Sequence, residues 1–333
     1  MSLGTLKATD RRSLAVLIAA FAAVYIFWGS TYLAIKYAIE TLPPFIMAGM
    51  RFTFAGAVLF LIALRSKDFE MPTWRQWRTS LIVGTLLLLG GNGGVVFAEK
   101  YISSSLAALL VATEPFWIVI LSWLWLRHGR PSRRVVAGLA IGFIGVVLLV
   151  GGQAGGHAEA GTFYQYAAVL AIMIATLSWA AGSIYGLKAP VPKSSLLTAG
   201  MQMLSGGAVL MLASVPKGEW SGFSLEQVSA NSWFALVYLL IFGSLIGFTA
   251  YSWLLKNARP SMVATYAYVN PVVAVILGWL VAGETLTGQM IVGAGFVVAS
   301  VALVTIQSGT DEGASEADEI SISIAPRGVS ASA

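Results

Sequence analysis

Runs of apolar residues long enough to cross a lipid bilayer recur ten times in this sequence, and no other feature limits its fold as much. A hydrocarbon core about 30 Å thick needs about 20 mostly apolar residues in helical form. The runs fall at roughly 13–36, 44–64, 79–98, 103–126, 134–151, 163–186, 194–215, 231–254, 260–281 and 288–307. Backbone polar groups in lipid must be satisfied within the segment or a closed barrel, and runs of this length predict helices. Leu-Pro-Pro at 42–44, a Gly-rich run at 151–156 and Ala-Arg-Pro at 258–260 punctuate them. Composition agrees: 57% of the 333 residues are hydrophobic and 11% charged, against about 25% charged in soluble domains. The expected class is all-α and integral to the bilayer. The polar segment 1–12 precedes a first run longer than the apolar core of a signal peptide, so that run is read as a retained span. The acidic, Ser-rich tail at 308–333 predicts disorder.

Charge orients the helices. With residues 1–12 in the cytoplasm, the cytoplasmic segments carry Lys7, Arg11 and Arg12; Arg65, Lys67, Arg75 and Arg78; Arg127, Arg130, Arg133 and Arg134; Lys188 and Lys193; Lys256 and Arg259; and Arg327. The opposite segments carry only Lys36, Lys100 and Lys217. Basic residues concentrate in cytoplasmic loops, so both termini are expected in the cytoplasm. This bias also accounts for the net charge of +5 without a nucleic-acid partner.

The chain repeats internally. AGMRFTFAGAVLFLIA at 48–63 and AGMQMLSGGAVLMLAS at 199–214 agree at eight of sixteen positions, an offset of 151 that also pairs Trp28 with Trp179. KYISSSLAALLVATEPFWIVILSWL at 100–124 and KNARPSMVATYAYVNPVVAVILGWL at 256–280 agree at nine of twenty-five, an offset of 156 that pairs Pro115 with Pro271. Each half, 13–151 and 163–307, then holds five helices. Because five is odd, the second half enters from the opposite side. Inverted five-helix repeats around a central cavity are a plan used by secondary transporters.

Ionisable groups inside a bilayer cost at least about 2.5–3.5 kcal/mol at a helix centre and usually face the bundle interior. Glu114 lies near the middle of the fourth run and is the only acid deep in one; Arg51 lies about 10 Å inside the second. The repeat aligns Arg51 with Gln202 and Glu114 with Asn270, so these four are candidates for a polar cavity wall. A structural alternative is that Arg51 and Glu114 pair with each other or with carbonyls. Asn92, in LLGGNGG, is a further candidate. Trp28, Tyr32, Trp117, Trp179 and Tyr266 fall inside runs and could supply apolar walls. Pro115 and Pro271 sit mid-run and free carbonyls near Val111 and Ala267, as a kink or gate requires.

Other chemistries lack their residues. There is no cysteine, and the only histidines are His128 and His157, in loops on opposite sides, so neither a zinc site nor a nucleophile–base pair is expected. No GxxxxGK[ST] motif is present, no cofactor is expected, and no ring of charge suggests a channel filter. A channel or membrane sensor remains the alternative from another class.

Trp-Gly at 28–29, Trp-Ala at 179–180 and the run NPVVAVILGWLVAGETLTGQMIVGAGFVVASVALV resemble the EamA type of the drug/metabolite transporter superfamily. The resemblance covers residues 13–307. Gly-Glu-Thr-Leu at 283–286 carries its post-proline loop signature, whereas the first half reads RHGRP there, without the glutamate. The chain is also similar to YddG-like exporters of aromatic amino acids. The resemblance implies a monomeric, multi-pass transporter of a bacterial inner (plasma) membrane. Its first four and sixth to ninth helices would surround a cavity, with the fifth and tenth peripheral. It implies no enzymatic activity and no metal, and a small amphipathic metabolite, such as an aromatic or neutral amino acid, as the exported substrate. A multidrug or other metabolite carrier of the same superfamily is the alternative; a phosphorylated substrate would demand more buried cations than Arg51 alone.

Overall fold

The structure is a computed structural model describing residues 8–66, 69–126, 133–152, 162–258, 263, 265–300 and 303. The expected disordered tail, His128, His157 and the RHGRP segment lie outside the described residues. No strand occurs among the described residues. We number the helices α1 (8–38), α2 (Pro44–Leu64), α3 (Trp74–Ala98), α4 (Ser104–Val111 and Glu114–Leu126), α5 (Arg133–Gly152), α6 (Thr162–Lys188), α7 (Ser195–Ser214), α8 (230–257), α9 (Tyr266–Ala282) and α10 (Gly288–Ser300). Seven of these, α1 to α4 and α6 to α8, are long and apolar enough to cross a membrane.

Local chemistry sets their ends. Pro44 opens α2, where a missing N–H costs nothing. Thr73 and Gln76 form a reciprocal capping box at α3. The side chains of Ser103, Ser194 and Ser229 cap α4, α7 and α8. Gly283, at φ 62°, ends α9 in the left-handed conformation that only glycine adopts without strain.

The helices pack through small residues. A Cβ on Gly56 would lie 2.6 Å from the Leu204 amide nitrogen, and one on Gly207 equally close to that of Thr53. Helices α2 and α7, the repeat-related pair, therefore meet backbone to backbone, the mode that drives association where the solvent is itself apolar. Large side chains such as Phe143, Phe163, Trp279 and Ile291 cover the outer surface, as a lipid-facing surface requires.

The termini of the helices gather at two ends. At one, Lys36 at the end of α1 pairs with Glu284 after α9, and the Ser229 amide donates to Thr41 Oγ1. At the other, Lys193, before α7, pairs with Glu70, before α3. We call these the Glu284 end and the Lys193 end.

Candidate functional site

Three helices are interrupted by π-helical segments: Val24–Trp28 in α1, Thr85–Asn92 in α3 and Leu239–Ile246 in α8. Such segments often mark functional positions, because the wider turn releases carbonyls and re-aims side chains. The released carbonyls find partners across the bundle. Ser178 Oγ donates to the Leu86 carbonyl (2.8 Å), and Trp28 Nε1 donates to the Gly243 carbonyl (3.0 Å). The α3 and α8 segments are the same length and lie 154 residues apart, between the offsets of 151 and 156 read from the sequence repeat.

The α1 segment, through Trp28, and the α3 segment, through Gly91 and Asn92, line one cavity of about 120 Å³, and Phe248 lines it just past the α8 segment; most of the lining is apolar, with Tyr32, Trp179 and Tyr266 among it. Trp28 organises the aromatic part. Its ring lies 5.5 Å from Phe248, 5.0 Å from Tyr251 and edge-on to Tyr266 at 5.4 Å. Aromatic pairs at these separations are mutually attractive and hold α1, α8 and α9 around one space.

Charged and amide side chains interrupt that apolar lining. Arg51 on α2 is 3% exposed. Its Nε donates to Ser244 Oγ (2.8 Å), its guanidinium carbon lies 4.7 Å over the Phe52 ring, and Nη1 has no hydrogen-bond partner. Room for it depends on Gly243, where a Cβ would sit 2.9 Å from Nη2. Glu114, 8% exposed, opens the second piece of α4 and lines the same cavity. Among the described residues no ion pair joins it to Arg51, so the mutual neutralisation considered from the sequence is not what the structure shows. Asn92 and Asn270 also line the cavity, and the side-chain oxygen of each is buried without a partner. Buried polar atoms are ordinarily paired, so among the described residues the cavity wall presents one free guanidinium donor, Nη1 of Arg51, and two free amide oxygens.

Trp28, Tyr32, Arg51, Asn92, Glu114, Trp179, Tyr266 and Asn270 thus share one cavity. Trp117 and Gln202 do not line it. Trp117 lies one turn beyond Glu114, about 4.5 Å further along the second piece of α4. Gln202 sits where α7 crosses α3, its carbonyl against Gly84, so the repeat partner of Arg51 belongs to a helix crossing. Helix α7 contributes no lining residue among those described, contrary to the arrangement the resemblance implied; α5 and α10 also contribute none, as it implied. The two prolines differ as well. Pro115 follows a break in α4 at Ala112 and Thr113, whereas Pro271 lies inside α9.

Sequence reading overlooked Ser244, the anchor of Arg51, and the acids Glu99 and Glu219, and it noted Glu284 only as part of the Gly-Glu-Thr-Leu signature, without a structural role. Glu284 accepts from the Ser104 amide (3.0 Å) and hydroxyl (2.7 Å), the Ser105 amide (3.0 Å) and hydroxyl, and Lys36 Nζ (2.9 Å). It therefore caps the N-terminus of α4 from across the molecule. Burial pushes its carboxyl up, but the bonds from Ser105, Lys36 and Ser104 outweigh that and hold it below the usual carboxylate range. Glu219 does the same for α2, accepting from the Phe45 and Ile46 amides at 3.0 Å. Because both carboxylates lie far along the chain from the helices they cap, no local sequence pattern shows the capping itself.

The EamA-like transporter family matches residues 14–151 and 166–306. The "Uncharacterized inner membrane transporter YedA" of Escherichia coli is 39% identical over 299 residues, covering 89% of this chain and 92% of the relative. The "Uncharacterized transporter YvbV" of Bacillus subtilis is 26% identical, covering 88% and 92%. A crystal structure with 22% identity superposes with a TM-score of 0.60 over 88% of this chain and 97% of the other, a likeness of fold. With two matched segments spanning most of its length, the chain belongs to the EamA-like transporter family.

Proposed function

We propose that this protein exports small amphipathic zwitterions, aromatic or other neutral amino acids, from the cytoplasm across a bacterial inner membrane by alternating access. In this reading the ten helices all span the bilayer as two inverted halves of five. The Lys193 end faces the cytoplasm and the Glu284 end faces outward. The basic-residue bias, the recurrence of π segments at equivalent helices and the inner-membrane name of the Escherichia coli relative support that placement.

The observation that carries the substrate class is the pairing of opposite charges within an aromatic cavity. Arg51 offers a free Nη1 donor, Glu114 offers a carboxylate, and Trp28, Trp179 and Tyr266 supply flat apolar walls. A carboxylate on Arg51, an ammonium on Glu114 and an apolar side chain between the rings match an amino acid group by group. Hydrogen bonds to charged groups contribute about 1.5–3 kcal/mol each, so both charged ends of the ligand count. Alternating access fits the break before Pro115 and the kink residue Pro271 as hinges.

Counterflow in proteoliposomes tests the reading. Labelled phenylalanine should accumulate against trans phenylalanine. Phenethylamine and phenylpropionate, each lacking one charge, should compete at least about tenfold more weakly. Equal competition by either would remove the zwitterion reading, and absence of trans stimulation would remove the carrier.

A further inference from the structure

At the Glu284 end, one buried acid is not used by the cap on α4. Glu99 ends α3 and is 6% exposed, and neither carboxylate oxygen has a hydrogen-bond partner. Its neighbourhood is charged. Glu284, just past α9, and Lys36 on α1 act on it, and Tyr32 on α1 feels both Glu99 and the cavity acid Glu114. Lys36 Nζ is committed to Glu284. Lys100 and Tyr101 follow Glu99 in the chain, and Lys217 lies 5.3 Å over the ring of nearby Phe97.

A bare carboxylate cannot persist there. Burying an unpaired charge costs several kcal/mol, so such a group neutralises instead. Burial first and the nearby Glu284 second push the Glu99 carboxyl well above the usual carboxylate range, with Lys36 opposing them. The group that makes burial tolerable is a proton.

We infer that Glu99 is a proton-binding site, and that the Glu284 end closes only over its protonated form. The inference rests on the alternating-access reading. Closure is the step that joins Glu284 to Lys36, Ser104 and Ser105. As this end closes, Glu99 loses water and takes up one proton, becoming a neutral carboxylic acid. As it opens, Glu99 hydrates and returns the proton to the outer solution. The sign follows from linkage. Because the closed state holds the proton more tightly, closure is favoured fully below the open-state value near about 4.3. It loses up to about tenfold per pH unit above that, until the closed-state carboxyl also ionises.

The absence of native cysteine allows a direct test that needs no substrate. Ile35→Cys places a thiol on the cavity wall, buried at 2% exposure beneath the Glu284 end. Labelling by a membrane-impermeant maleimide is measured in right-side-out vesicles across pH, with and without Glu99→Gln. The variant shares the thiol's own titration but carries a permanently neutral group. The expected ratio of rates, parent over Glu99→Gln, is near one at low pH and climbs with pH, and Glu99→Asp restores the climb. A ratio constant with pH, or a climb that Glu99→Asp does not restore, overturns the inference. Glu99→Ala serves as the neutral reference if Glu99→Gln does not fold. Counterflow that fails while the labelling ratio still climbs would sink the export reading and leave the proton site standing.

Discussion

The two family-matched halves carry related sequences and opposite electrostatic roles. The first half buries its charges: Arg51, Glu99 and Glu114 all lie on or beside α2, α3 and α4. At the aligned positions the second half has Gln202 and Asn270, which are neutral. The second half instead lends carboxylates outward. Glu219 and Glu284 reach across to cap α2 and α4 at one end of the molecule. The backbone follows the same asymmetry, since α4 breaks before Pro115 while α9 runs on through Pro271. Two identical halves would favour their two arrangements equally. Under the alternating-access proposal, charge placed on one side of the pseudo-repeat would remove that balance, and these residues would set which end stays closed.

The sharpest way to break the comparison is at Glu284. Glu284→Ala would leave the Ser104 and Ser105 amides and the Lys36 ammonium without their shared acceptor. Removing one partner of a buried ionic cluster costs about 3–5 kcal/mol. We expect a large fall in the thermal midpoint of purified protein, read by intrinsic fluorescence. Glu284→Gln should recover part of it, because an amide oxygen still accepts. A midpoint unchanged in the alanine variant would mean that the second half does not hold the first.

Arg51 and Gln202 test the same asymmetry within the membrane. Arg51→Ala should weaken amino-acid affinity by about 2–3 kcal/mol, the worth of a charge-assisted contact plus the loss of an anchored guanidinium. Gln202→Ala, at the aligned position, should stay within about 0.5 kcal/mol, because position 202 lies at the α7–α3 crossing. Binding measured by isothermal titration separates the two. Equal losses would restore the symmetric cavity wall that the repeat alone suggested.

Glu219→Ala should cost less than Glu284→Ala. It removes an acceptor from two amides at the start of α2, and loss of an N-terminal cap costs about 1–2 kcal/mol. Hydrogen exchange should rise at Phe45 and Ile46 and remain unchanged at Ser104 and Ser105, since each cap serves its own helix.

Much of this plan was legible in advance, for identifiable reasons. Span length follows from bilayer thickness, so α1 to α4 and α6 to α8 were readable as apolar runs. Glu114 and Asn270 were readable because a polar side chain is conspicuous in such a run. Gln202 was misplaced because alignment compares positions along helices, while facing depends on crossings such as that between Gly84 and Gly206. Glu99 was passed over because it borders Lys100 at the end of an apolar run and looks like a solvated loop residue. In the fold it is 6% exposed. The π segments left no sequence signal at all, since the extra residue in a wide turn is accommodated by partners from other helices, Ser178 and Trp28 among them.

The smallest effect is expected at the opposite end. Lys193 pairs with Glu70 at 2.7 Å, closer than the 2.9 Å between Lys36 and Glu284, yet both side chains are largely in solvent. The Glu70 hydrogen bond and charge raise the Lys193 ammonium above its ordinary value, but water competes for both groups and salt screens them. Lys193→Ala should therefore leave the thermal midpoint where it is, in low salt and in high salt alike. Two ion pairs of nearly equal length, one exposed and one buried with two serines, then differ in consequence because only the buried one loses its partners' alternatives. A midpoint that fell with Lys193→Ala as far as with Glu284→Ala would show that the Lys193 end is locked as firmly as the other, and that the buried charges of the first half do not decide which end stays closed.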